Sequence, residues 1–561
     1  MNSVLEKLFK EQPQANQTMI DGFATKEVPK APAYLDKVII SAMKSVNPRF
    51  TYHGYRKLSP KEEYQLKRNK PNHDLSGSDV LLYEYFFEYD GEKIPRKYLY
   101  MPFVRDAGIM EISGTKYAIV PVLTDTVISP SNNEVFVRLL KTKQFFRNTT
   151  RNIIKNGNSV IAEIVYSDGI ASLDEKKQNL LGKVVTPVTL FIIGKYGFKE
   201  SFKKYCNVEP IFTLSHEEAI KLKETHDIYQ SNKIKPKSLK DIDYVPHDVH
   251  ICIPKKQNSL LAEKMAGTII YTFDVLPKTA ANIAESLHAG LDIELSEWRV
   301  IIGRIAYKDF YIPSRGYDLI MDKYTLIESY LDSIVQEKLE ESDIYVNDYY
   351  DLLVHMIDKY SEYLLKGKEY TNNIYNRYID ILYYLMFNFI YGVNTMIRDI
   401  NNMSKNKQLT IQNINKLMTR RLSSKTIFGI TKSGAMNICV TPIDSTTDSM
   451  FSKITGILEL QERGKGVVKE PNNTFPSNTR KIVGTDLYLG SLYNLPKKYP
   501  TPKAKINVFA EFNEITNRIA PYPRIKRKVD YLDICLNGRV VDDFSAMEIV
   551  NNEEIDEVGD L

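Results

Sequence analysis

The sequence predicts an α+β protein of several domains, and three observations carry this. The chain has 561 residues, enough for about three to four domains of ordinary size. Its 43% hydrophobic and 26% charged residues are the balance of a chain that folds around cores in water. Strand-like patterning dominates residues 79–126, helix-like patterning dominates 317–398, and short strands punctuated by Gly, Pro, Asn and Thr fill 420–530.

Composition narrows the function classes. Cys206, Cys252, Cys439 and Cys535 lie far apart with no CxxC, which argues against a disulfide framework and against a cysteine zinc site. No signal peptide and no apolar run of membrane-spanning length is seen, so no membrane role is expected. The richest run, Ile379 to Val393, carries Asp380 and Asn388 and reads as a buried helix. The formal charge of +5 says little until its distribution is considered.

Taken in order, Tyr34 to Ser45 reads as a helix. Ser59-Pro60-Lys61-Glu62-Glu63 is a helix start, with Ser at the cap, Pro in the first turn and acids near the positive end. Val80 to Tyr89 and Arg96 to Arg105 read as strands joined at Asp90-Gly91, a dipeptide that favours a tight hairpin. Ile109 to Ile112 and Tyr117 to Leu123 follow as strands, separated by a small reversal at Ser113-Gly114-Thr115. Val135 to Thr150 is expected to be helical and basic, and Ser159 to Tyr166 a strand. Pro187 opens an apolar helix closed by glycine. Thr272 to Tyr311 reads as mixed, Tyr317 to Leu364 as helical with solvated acidic faces, and Gly392 as a close-packing position in a helix. His247, His250 and Cys252 form the one metal-like cluster; no fourth ligand lies nearby in sequence, and we read the histidines as structural.

The last region differs in charge. Arg420 to Asp530 holds 19 Lys/Arg against 9 Asp/Glu, a difference of +10. Arg480, Lys481, Lys497, Lys498, Lys503 and Lys505 fall among Tyr, Phe, Gly and Pro in what read as loops. Such a segment can follow a phosphate backbone, with affinity falling as salt rises. The acidic tail from Asp542 to Asp560 is unsuited to a polyanion.

Landmarks along the chain resemble, in order, the N-terminal half of the β subunit of multisubunit RNA polymerases. Gly108 to Val120 has the frame of that family's G-x-F-x-x-N-G-x-E-R-x-I-V segment, with Ser113, Lys116 and Tyr117 at its Asn, Glu and Arg. Pro187-Val188-Thr189 and the later Gly-aromatic pair are similar to its lobe motif. Asn376-Arg377, Phe389, Gly392 and Arg398 keep the spacing of the segment that returns from lobe to protrusion. Gly429 to Gly456 and Thr479 to Gly490 resemble the fork, and Ala520 to Val540 the stretch before the flap. In the loop from Leu495 to Asn507, lysines replace the family's glutamates.

The resemblance implies a protrusion built from residues 1–124 and 371–428, a lobe from 125–370 inserted between them, and a fork-like region from 429–561. It implies a split β subunit, N-terminal part, similar to those of giant phiKZ-like bacteriophages. Such a chain is a subunit of a DNA-directed RNA polymerase that forms one side of the DNA cleft and the fork beside the RNA–DNA hybrid. It is not catalytic alone. No D-x-D-G-D pattern occurs in the sequence, so Mg²⁺ is expected to be held by a partner subunit and no cofactor by this chain. The implied partners are the C-terminal part of β, split β′ subunits, DNA template, RNA transcript and a promoter-specificity subunit. The implied location is the host cytoplasm, or the virion for a packaged enzyme. Arg480, Lys481, Lys497, Lys498, Lys503 and Lys505 are the candidate nucleic-acid contacts. Two other readings stay open: a stand-alone viral nucleic-acid-binding protein using the same basic region, and a metal hydrolase built on His247, His250 and Cys252.

Overall fold

The computed structural model describes residues 21–68, 80–167, 187–234, 248–275, 333–366 and 373–422, apart from single positions and short turns within them. It also describes residue 18, isolated residues between 295 and 331, and short pieces at 440–442, 459–462, 503–505, 517–518, 525–526 and 548–549.

The first part opens with helices α1 (Phe23–Glu27) and α2 (Ala31–Met43), then β1 (Phe50–Lys57) and α3 (Pro60–Arg68). Helix α2 buries Leu35, Val38, Ile39 and Ala42, the i, i+3, i+4, i+7 stripe of an amphipathic helix. At α3 the capping box is closed on both sides. The Ser59 N–H donates to Glu62 Oε2 at 2.9 Å and the Glu62 N–H to Ser59 Oγ at 3.4 Å. The Ser59 backbone bond, with Ser59 Oγ and Arg56, holds the Glu62 carboxyl down to about 2.

Strands β2 (Val80–Tyr89), β3 (Glu92–Lys93) and β4 (Lys97–Pro102) follow, and β2 lies between β1 and the β3/β4 side. Asp90 and Gly91 both take positive φ, 55° and 83°, which turns the hairpin with the twist of its strands. Then come β5 (Ile109–Ile112), β6 (Thr115–Ile119) and β7 (Val122–Asp125). Residues 117–123, expected to be one strand, are two. Pro121 has no N–H to donate to a ladder, and the chain changes sheets there.

The middle part is a seven-stranded sheet. It is made by β8 (Ile128–Ser131), β9 (Glu134–Arg138), β10 (Lys143–Lys155), β11 (Asn158–Ser167), β12 (Ile211–Thr213), β13 (His226–Ser231) and β14 (His250–Pro254). Of residues 135–150, expected to be helical, 135–138 and 143–150 are strands instead. The deciding signal lies just beyond them at Asn156-Gly157, whose φ values of 53° and 93° close a tight hairpin. Pairing then runs back from Lys155↔Asn158 through Phe146↔Ser167. Among the described residues this part also holds helices α4 (Val188–Tyr196), α5 (Phe198–Cys206), α6 (His216–Lys221), α7 (Leu260–Val275), α8 (Ser333–Glu340) and α9 (Tyr349–Leu365), and α4, α7 and α9 pack against its strands. Helix α4 is apolar on every side and buried from Val188 to Gly194.

The chain then returns through β15 (Arg377–Asp380), α10 (Leu382–Leu385), α11 (Phe387–Lys405) and α12 (Ile411–Arg421). Within the apolar run read as one helix, Ile379 belongs to a strand. Asp380 ends that strand and caps the next turn, its Oδ1 accepting from the Tyr383 N–H at 3.2 Å. Helix α11 packs on α2, and their buried residues belong to one core with those of the middle part. Asn47 fastens them further: its N–H donates to Asn401 Oδ1 and its Nδ2 to Ser404 Oγ.

Candidate functional site

Strands β16 (Val440–Pro442), β17 (Glu459–Glu462) and β18 (Lys503–Lys505) belong to the basic C-terminal region, and β16 and β17 pair with strands from the first part of the chain. The sheet order β15-β7-β17-β18 joins three distant parts of the chain. Strand β7 is antiparallel to β15, with Asp125 opposite Arg377 and Leu123 opposite Ile379. On its other side β7 runs parallel to β17. Strand β16 extends the β5–β6 hairpin. On the far edge of β15, the Ile379 N–H donates to the Asn517 carbonyl at 2.9 Å, and Arg518 bridges to Tyr378. The Arg518 Nη2 then reaches Ser342 Oγ in the insert at 2.6 Å.

Under this seam lies a cleft of about 350 Å³ between α2, α8 and the β15–α10 corner. Its floor is Arg138, buried and flanked by the rings of Tyr378 and Tyr383, each 5.1 Å from the guanidinium carbon. Arg138 donates to Thr124 Oγ1 and to the Tyr384 hydroxyl, and its Nη2 stands 3.7 Å from Asp380. Burial pushes the Asp380 carboxyl above the ordinary aspartate value, against the pull of Arg138 and Lys338. Around the rim, Lys30 pairs with Glu27 at 2.7 Å, Lys37 with Glu337 at 2.5 Å and Lys338 with Glu341 at 3.2 Å. With each of these cations matched to a carboxylate, the cleft offers no excess charge to a phosphate. Its chemistry is that of a strut: a desolvated guanidinium tied to β7, β15 and α10 at once.

The candidate contacts are divided by this geometry. Lys503 and Lys505 lie in strand β18, not in a loop, opposite Gln461 and Glu459 of β17. Pairing with β17 converts what composition marks as a loop into ladder. Arg480, Lys481, Lys497 and Lys498 lie outside the described residues.

The metal-like cluster resolves differently. His247 lies outside the described residues. His250 is buried in β14, and its Nδ1 donates to the Asp248 carbonyl at 2.8 Å. Its Nε2 is therefore free to accept from His216 Nδ1, 3.1 Å away on α6. Burial lowers the pKa of His250, and burial pushes the Cys252 thiol up to about 11. The His216 partner is 34 residues away, beyond the reach of a local motif. Among the described residues, no three His, Cys, Asp or Glu side chains gather to hold a metal ion. Among them also, no helix is long and apolar enough to cross a membrane.

A family model described as "Non-virion RNA polymerase subunit" matches residues 5–482, well over half of the chain. The chain belongs to that family. No curated protein matches it. As a non-virion RNA polymerase subunit it is one part of a larger enzyme and works with partner subunits. The matched span takes in the whole β15-β7-β17 seam and Arg480 and Lys481, whereas Lys497, Lys498 and β18 lie beyond it.

Proposed function

We propose that this polymerase subunit is the N-terminal part of a split β-like subunit. Residues up to 428 form one side of the DNA cleft, and the region 429–561 forms a fork beside the RNA–DNA hybrid. The observation that carries this reading is the seam at β7. The insert leaves and returns beside it, and the C-terminal region pairs with the same strand. A basic segment anchored on the strand that joins the two flanking segments suits a wall next to nucleic acid. The ordered landmarks from Gly108 to Val540 support the β assignment, and the giant-phage relationship rests on them as well.

On this reading the partners are the rest of β, split β′ subunits, the DNA template and RNA transcript, and a promoter-specificity subunit. Mg²⁺ for nucleotidyl transfer is contributed through a partner subunit. The family's non-virion designation favours the infected cell's cytoplasm over the virion.

The experiment is to assemble the polymerase with Lys497→Ala/Lys498→Ala and challenge its elongation complexes with salt. Phosphate contacts position a duplex without reading it, so complexes should dissociate at lower salt with promoter choice unchanged. Complexes as salt-resistant as the wild type would remove these lysines from the cleft.

A further inference from the structure

Helices α11 and α12 carry a charge arrangement that the cleft and the fork do not account for. Residues 387–421 hold six Lys or Arg against the single acid Asp399, a net +5 equal to the formal charge of the whole chain. Three guanidiniums converge on that carboxylate. Arg421 takes it most closely, donating from Nη2 at 2.8 Å and from Nε at 3.2 Å. Arg420 and Arg398 stop at 3.8 Å and 3.7 Å, beyond hydrogen-bond distance. Their side chains are 68% and 47% exposed, so their donors face solvent. Lys416 is exposed one turn before Arg420. On the other flank Lys97 donates to Asn415 and Thr419, two neutral oxygens.

Ordinary explanations cover part of this. Cations at the end of α12 are favoured by the helix dipole, which accounts for Arg420 and Arg421. It does not account for Arg398, which reaches the same point from α11. One carboxylate against three guanidiniums leaves two positive charges uncompensated at short range, an arrangement relieved by an anion of matching geometry. The patch is continuous in sequence with the +10 region that begins at Arg420.

We infer that Arg398, Arg420 and Arg421, flanked by Lys416 and Lys97, form a second nucleic-acid contact, a phosphate clamp on the α11–α12 hairpin separate from the fork. The chemistry recognised is the polyphosphate backbone, in duplex DNA or in an RNA–DNA hybrid. This inference rests on the polymerase-subunit reading for its ligand.

The test is the assembled polymerase carrying Arg398→Gln/Arg420→Gln, leaving the Arg421–Asp399 pair intact. Binding to labelled duplex DNA and to an RNA–DNA scaffold is measured across a salt series. Loss of two phosphate contacts should make the slope of log K against log salt shallower by about 1.8 on duplex DNA. A change confined to one nucleic acid identifies which source the clamp holds. Arg398→Lys/Arg420→Lys, which keeps the charge, should retain most of the wild-type slope and exposes any loss due to misfolding. Unchanged slopes on both nucleic acids would overturn the proposal. So would a variant that no longer assembles while the free chain binds DNA with its original slope, since the patch would then hold a protein partner. If the wild-type chain joins no polymerase but its own DNA binding loses slope in the variant, the subunit reading fails and the clamp survives.

Discussion

Glu163 shows how a single residue couples burial to pH. Burial alone would raise its carboxyl pKa, but bonds from Ser361 at 2.6 Å and Asn148 at 2.8 Å, with Lys264 at 3.1 Å, hold it below the ordinary glutamate value. A carboxyl held down in the folded state stabilises the fold fully above the unfolded value near 4.5, and that contribution is lost as pH falls through the folded value. Glu163→Gln should therefore cost about 2 kcal/mol at neutral pH and flatten the acid limb of the stability curve. Thermal melts of the purified protein between pH 3 and 7 check both, and a parallel downward shift at every pH would contradict the linkage. Lys264 remains bonded to the carbonyls of Ile357 and Asp358 at 3.0 Å and 2.8 Å, which limits the loss. The salt bridge itself could not be read from sequence, because its partners lie 101 residues apart on different elements.

At the scale of elements, Gly392 is where α11 touches α12. A Cβ there would run into the Arg421 backbone carbonyl, which cannot move without shifting the end of α12. Gly392→Ala should cost about 1–3 kcal/mol through overpacking. It should also move Arg421 off Asp399, so a lower Tm should come with altered salt dependence of nucleic-acid binding. A variant with wild-type Tm would mean the helices part freely. The close-packing role of Gly392 was legible from its place in an apolar helix, although the neighbour it touches was not. The β9–β10 stretch was not legible as strand, because local propensity is a weak prior and the Asn156-Gly157 turn imposes its pairing from outside the window.

At the scale of the molecule, the C-terminal region completes sheets it did not begin. Strands β16 and β17 pair with β6 and β7, and residues 517–518 pair with β15. Truncation after Leu422 should uncover edges of β6, β7 and β15 whose side chains are largely buried. The shortened chain is expected to aggregate, with faster amide exchange at residues 115–125 and 377–380. A soluble, monomeric truncation with unchanged exchange there would show that the seam contributes nothing to stability. The 561-residue chain, as one subunit of its polymerase, should incorporate no nucleotide on any template without its partners. Incorporation by the purified single chain would refute that.

Local elements with strong periodicity or strong punctuation follow from the order of residues alone: α2, the Ser59 cap, the Asp90-Gly91 hairpin and the apolar α4. Each is governed by interactions within a few residues. The resemblance to a polymerase subunit, carried by landmarks along the chain, agrees with the family match at the level of a polymerase subunit. Long-range packing settles which strands meet at β7, that Lys503 and Lys505 stand in a ladder, that His250 pairs with His216, and that three arginines share Asp399. These depend on chain segments tens to hundreds of residues apart being brought into register, and contacts of that range leave no periodic trace in the residues that make them.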